Sequence, residues 1–146
     1  MKSAPAAGFS LVELAITILV LGIVFAFGIP AFSNLSGSYN LKGTTENISA
    51  QLRLAREKAI ATGITQNLWF KKTKCQGGDY CIDNGGSGDP QWNLPNGITY
   101  KNGSGFQDNY RMTKDGRCQD SGMIIVQDRR GNRDTVSVQI SGLVIN

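Results

Sequence analysis

The sequence predicts an α+β protein in which one long amino-terminal helix, membrane-length in its first half, leads into a small antiparallel β domain. Three observations predict it. Residues 9–32 read FSLVELAITILVLGIVFAFGIPAF with Glu13 the only charge, matching the roughly 20 apolar residues that cross a bilayer. Leu41, Thr45, Ile48, Leu52, Ala55 and Ala59 follow at alternating steps of four and three, one face of a 3.6-residue helix. Beyond Phe70, short runs rich in Ile, Val, Thr and Tyr are punctuated by Gly, Asn, Asp and Ser, which is how strands and turns read. At 146 residues the chain has material for one ordinary core and an appendage.

The first element carries the most specific signal, because an acidic residue near the middle of a spanning helix costs about 2.5–3.5 kcal/mol and usually has a partner. Glu13 lies near the helix start, where the cost is lower. A conventional secretory signal accounts for the apolar run, with Ala26 and Gly28 as small residues ahead of Pro30. Against it, Glu13 interrupts the apolar region and Lys2 is the only basic residue before it. A plain anchor accounts for the length and leaves Glu13 to snorkel toward headgroups.

A third reading is a resemblance. Gly8, followed by Phe9, Ser10, Leu11, Val12 and Glu13, resembles the class III leader of type IV prepilins and type II secretion pseudopilins. That likeness implies cleavage between Gly8 and Phe9 by a membrane aspartic peptidase, the prepilin peptidase, and methylation of the new Phe9 amine. It also implies a partner for Glu13, the positive terminal amine of a neighbouring subunit's Phe9, in a setting too apolar for water to screen the pair. Pro30 sits where the family has a helix-kinking proline, a residue that removes one backbone bond. The leader departs from the pattern in having one lysine, and a pair of alanines directly before Gly8, instead of several basic residues.

Next along the chain, residues 34–38 are polar and include Gly37, which is expected to soften the helix without ending it. The following stripe should pack on the β domain, with Glu46, Arg53, Arg56, Glu57 and Lys58 on the outer face and Gly63 as a stop after Thr62. Residues 54–60, Leu-Ala-Arg-Glu-Lys-Ala-Ile, run at once into strand-like sequence, and this resembles the FimT and GspH branch of minor pilins and pseudopilins. On generic grounds a helix face of mixed charge needs no special function.

Strands are expected at Thr65–Lys71, Ile98–Lys101, Tyr110–Thr113, Met123–Gln127 and Thr135–Ile140, with a final one at Leu143–Ile145. Turns are signalled at Asp115-Gly116, Arg130-Gly131-Asn132 and Ser141-Gly142. The run from Gly122 to Gly142 again resembles the end of the FimT and GspH domain. The expected organisation is a leader peptide over 1–8, a transmembrane and filament-core helix over 9–32, its amphipathic continuation over 33–63, and a periplasmic antiparallel domain over 64–146.

The chain has no His, so it lacks the commonest general base and the commonest transition-metal ligand. No catalytic residue, cofactor or metal is expected. A formal charge of +4 is a mild excess that a dispersed surface explains. Three cysteines in a periplasmic domain point to a disulfide. Cys75 with Cys81 is the local candidate, closing a ring that includes Gly77 and Gly78, while Cys118 is either the true partner or a free thiol in a polar turn. The three thiols lack the close pair of a zinc site. Asp79, Asp83 and Asp89 fall short of a calcium loop for want of a placed glutamate. Lys71, Lys72 and Lys74 form one basic cluster and Arg129, Arg130 and Arg133 another, which invites nucleic acid as a partner. Asp128 and Asp134 dilute the arginines, and a charged hairpin tip that resists aggregation is the plainer reading.

The resemblance therefore implies a structural subunit, a minor pilin or pseudopilin that helps initiate or cap a type IV pilus or type II secretion pseudopilus. Its implied partners are major and other minor subunits, the prepilin peptidase and an assembly platform protein. The subunit would stand in the bacterial inner membrane before entering a filament. The alternative is a DNA-binding tip subunit used in natural transformation.

Overall fold

Helix α1 runs from Leu11 to Thr62 in the computed structural model, which describes residues 10–70, 73–83, 89–101 and 105–146, with residues 29–35 by backbone alone. Two compact units divide between Gly37 and Ser38. The first is the apolar part of α1. The second holds the rest of α1 and the described strands.

Within the second unit the helical stripe is the buried face. Leu41 is nearly covered, and Thr45, Ile48, Leu52, Ala55 and Ala59 are fully so. Burying side chains the size of Ile48 and Leu52 contributes about 1.5–3 kcal/mol each. Thr45 avoids an orphaned hydroxyl by donating to Asp134 Oδ2 at 2.6 Å. The stretch over 34–38 stays helical, so Gly37 does not interrupt the backbone there. At the carboxyl end Gly63 takes φ 69° and its N–H bonds the Ala59 carbonyl at 3.0 Å, the left-handed stop a glycine favours.

Among the described residues, eight strands form two antiparallel sheets, which together make up the small β domain expected from the sequence. The first has the order β3-β2-β1-β5, built from Gln91–Trp92, Tyr80–Ile82, Gln66–Trp69 and Asn109–Met112. The second has the order β4-β6-β7-β8, built from Ile98–Lys101, Gly122–Asp128, Arg133–Val138 and Val144–Ile145. In the β6–β7 hairpin Ile124 faces Val136 and Gly122 faces Val138. Alternation then buries Ile124, Val126, Val136 and Val138 together.

The strands β2 and β3 were not expected from the sequence, being three and two residues long inside a Gly- and Asp-rich stretch. Aromatic packing holds them. Phe70 stacks on Tyr80 at 5.7 Å and meets Tyr110 of β5 and Tyr100 of β4 edge-on at 5.6 and 5.7 Å. Tyr80 in turn stacks on Trp92 at 5.3 Å. One ring thus joins side chains from both sheets, a geometry worth about 0.5–1.5 kcal/mol per pair beyond burial.

Candidate functional site

The apolar part of α1 is built for an environment other than its own fold. Leu11–Gly28 has a mean hydropathy of 2.5 with none of that window buried, and it is the one helix among the described residues long and apolar enough to cross a membrane. Leu11, Ile18, Leu19 and Phe27 are 84%, 62%, 63% and 77% exposed. The polar Thr17 spends its hydroxyl inside the helix, reaching the Leu14 carbonyl at 2.8 Å and the Glu13 carbonyl at 3.1 Å. Glu13 occupies the first turn, where the positive end of the helix dipole favours a carboxylate. Pro30 lies within α1. Gly8 and Phe9 lie outside the described residues.

In the second unit the structure joins Cys75 to Cys81, with Cα atoms 5.4 Å apart. The ring turns through Gln76 at φ 47° and Gly77 at φ 106°, and a side chain at Gly78 would press on Gln91 and the Trp92 carbonyl, so the glycines let the ring lie against β3. Among the described residues no group of three His, Cys, Asp or Glu could hold a metal.

Cys118 is a free cysteine in the turn segment between β5 and β6, and it is fully buried there. It bridges to Met112, and its N–H bonds the Ile140 carbonyl at 3.0 Å, which draws the segment after β5 toward the end of β7. Its thiol faces the Asp120 carbonyl at 3.0 Å, and burial pushes its pKa up. A raised thiol pKa leaves little thiolate, so the site is poorly reactive.

The basic clusters are described in part. Lys71 and Lys72 lie outside the described residues, and Lys74 Nζ stands 5.5 Å from the Trp69 ring centroid. At the β6–β7 turn, the Asp128 carboxylate accepts from Asn132 Nδ2 at 2.8 Å, Asn132 N at 2.8 Å and Arg130 N at 2.9 Å. The Asn132 side-chain bond, followed by those backbone bonds, holds its pKa below the usual carboxylate range. Asp128 therefore builds the turn. Arg129 lies over Gly97, whereas Arg133 lines a different cavity with Lys42, Asp134 and Asn146.

Two arginines read as outer-face charges do something else. Arg56 Nε donates to the Gly116 carbonyl at 2.7 Å, and Arg53 Nη2 donates to the Val144 carbonyl at 3.2 Å. Beneath Arg56, Gly116 and Gly142 both have positive φ, 73° and 78°, and their backbones approach so closely that a side chain at Gly142 would strike the Gly116 carbonyl oxygen. Both turns were legible as turns. Their meeting was not, since it is made by tertiary packing.

No protein-family model and no curated protein sequence matches the chain. Among solved structures it resembles the crystal structure of the type IV minor pilin FimU of Pseudomonas aeruginosa (strain PAO1), with a TM-score of 0.59 and 17% identity over 76% of this chain and 90% of that one. The fold is pilin-like: a long apolar amino-terminal helix followed by antiparallel sheets.

Proposed function

We propose that this chain is a minor pilin or pseudopilin, a structural subunit that is made in the inner membrane and then packs its apolar helix into a filament or the complex that initiates or caps one. The observation that carries this reading is a pilin-like fold whose Leu11–Gly28 helix is wholly unburied by its own chain and starts with a single carboxylate, Glu13. Such a helix needs either lipid or other helices around it. Lipid serves before assembly and neighbouring subunits afterwards.

In this mechanism a prepilin peptidase removes residues 1–8 and methylates Phe9, whose terminal amine then meets Glu13 of an adjacent subunit. The pair removes the cost of a lone carboxylate in an apolar surrounding and fixes axial register. The domain beyond α1 remains on the periplasmic side and selects lateral neighbours, with an assembly platform protein acting at the membrane.

Amino-terminal sequencing and mass analysis of the chain isolated from membranes tests the reading. The expected product begins at a methylated Phe9. A start at Ile29, or an intact Met1, would overturn it.

A further inference from the structure

On the flank of α1 beside its buried stripe, Arg53, Arg56, Glu57 and Ile60 line a groove of ≈ 240 Å³ with Gly142, Leu143 and Val144. The two arginines are held in place from inside the fold, Arg53 by the Val144 carbonyl and Arg56 by the Gly116 carbonyl. A guanidinium carries five N–H donors, so one such bond orients each group and leaves donors to spare. Carbonyl oxygens also leave both positive charges unneutralised. Among the described residues the ion pairs are Lys42–Glu46 and Arg111–Asp120, and neither arginine has a carboxylate partner. Glu57 alone opposes them at the groove. The remaining surface is aliphatic, with Ile60 52% and Leu143 50% exposed.

The geometry points to a docking site for a partner protein's segment that carries a carboxylate beside aliphatic side chains. The carboxylate is received by Arg53 and Arg56, and an adjacent Leu, Ile or Val lies on Ile60 and Leu143. Charge complementarity selects this occupant. Two oriented guanidiniums match a carboxylate by charge-assisted bonds, and tethering them beforehand lowers the side-chain ordering cost of binding. Gly142 supplies a floor without a side chain. The site lies entirely within the unit Ser38–Asn146 and does not depend on leader cleavage or on Glu13.

Fluorescence anisotropy with the full chain in detergent micelles tests this, using a labelled peptide of alternating leucine and glutamate and its leucine–lysine counterpart. The acidic peptide is expected to bind at least about tenfold more tightly than the basic one, and more weakly as salt rises. Arg53→Gln removes the charge while keeping a polar amide on an exposed helix position, and should weaken acidic-peptide binding about tenfold. Leu143→Ser, at an exposed position, should weaken it severalfold without touching a charge. Lys58→Gln, which removes the same charge from the outer face of α1, should leave binding unchanged. Equal affinity for both peptides, no binding of the acidic one, or equal losses from Lys58→Gln and Arg53→Gln would each overturn the proposal.

Discussion

Arg56 Nε donates to the carbonyl oxygen of Gly116 at 2.7 Å, across 60 positions of sequence. This bond fastens the flank of α1 to the turn after β5, where Gly116 is itself buried. Removing the donor strands a buried acceptor, and hydrogen bonds to charged groups contribute about 1.5–3 kcal/mol. Arg56→Ala should therefore lose stability of that size in urea unfolding followed by circular dichroism. Lys58→Ala, on the exposed side of the same helix, should stay within about 0.5 kcal/mol of the parent. Equal effects would mean that the bond to Gly116 does not hold the turn.

The close approach of Gly142 to Gly116 makes a second prediction. At φ 78° an alanine is strained by about 1–3 kcal/mol, and its Cβ would also meet the Gly116 carbonyl oxygen. Gly142→Ala should lower the unfolding midpoint sharply. Gly43 is the internal control, since it is helical and a Cβ there meets open space. Gly43→Ala should raise stability by up to about 1 kcal/mol, and thermal melts of the two variants should move in opposite directions.

Those two glycines mark the boundary of what the sequence makes legible. The buried stripe from Leu41 to Ala59 and the strands β6 and β7 follow from periodicity, because each residue's neighbours along the chain decide its face. Short β2 and β3 have no such pattern, and stacking of Tyr80 between Phe70 and Trp92 fixes them through contacts distant in sequence. The same holds for Cys118, whose polar surroundings in sequence gave no hint that its bridge to Met112 buries it. The acceptors of Arg53 and Arg56 are illegible for a related reason: helical position places these residues on the flank of α1, but only the fold supplies the Val144 and Gly116 carbonyls. The membrane-length helix was legible from composition alone.

Reduction separates the roles of the three cysteines. A ring spanning six positions, Cys75 to Cys81, restricts the unfolded chain by about 2 kcal/mol on the loop-entropy account. A reducing agent should lower stability by that order and loosen β2 and β3 before the β6–β7 hairpin. Hydrogen exchange by segment measures this. Under non-reducing conditions the folded chain should resist maleimide, because Cys118 is fully buried with its thiol pKa raised by burial. One thiol per chain should react after unfolding in urea, and three after unfolding with reductant.

Alkaline pH should unfold the second unit. Burial pushes Tyr80 and Tyr110 up to about 12, and it raises Tyr100 as well. An unfolded tyrosine ionises near pH 10. The native state thus keeps its phenol protons where the unfolded state has begun to lose them. The stability this gives is complete below about pH 10 and falls as pH rises through about 12. Urea midpoints should decline over that window, with phenolate absorbance from these rings appearing together with the loss of circular dichroism. Ionisation of all three rings ahead of unfolding would contradict their burial.

Glu13 yields the prediction closest to function. It lies in the first turn of α1, on a segment none of which is buried, and among the described residues no hydrogen bond or ion pair holds its carboxylate. Glu13→Ala should consequently leave the urea midpoint of the domain unchanged. Membrane retention should be equal or stronger, because removing an acidic group from an apolar helix favours insertion. Under the proposed pairing with a neighbour's Phe9 amine, the same change should sharply reduce recovery of the chain in sheared filaments while the processed form accumulates in membranes. Glu13→Gln separates charge from shape, since the amide keeps the volume and loses the attraction. Quantitative immunoblots of the filament and membrane fractions distinguish the outcomes. Normal incorporation of both variants would eliminate the pairing, whereas rescue by Glu13→Gln alone would reassign Glu13 to packing.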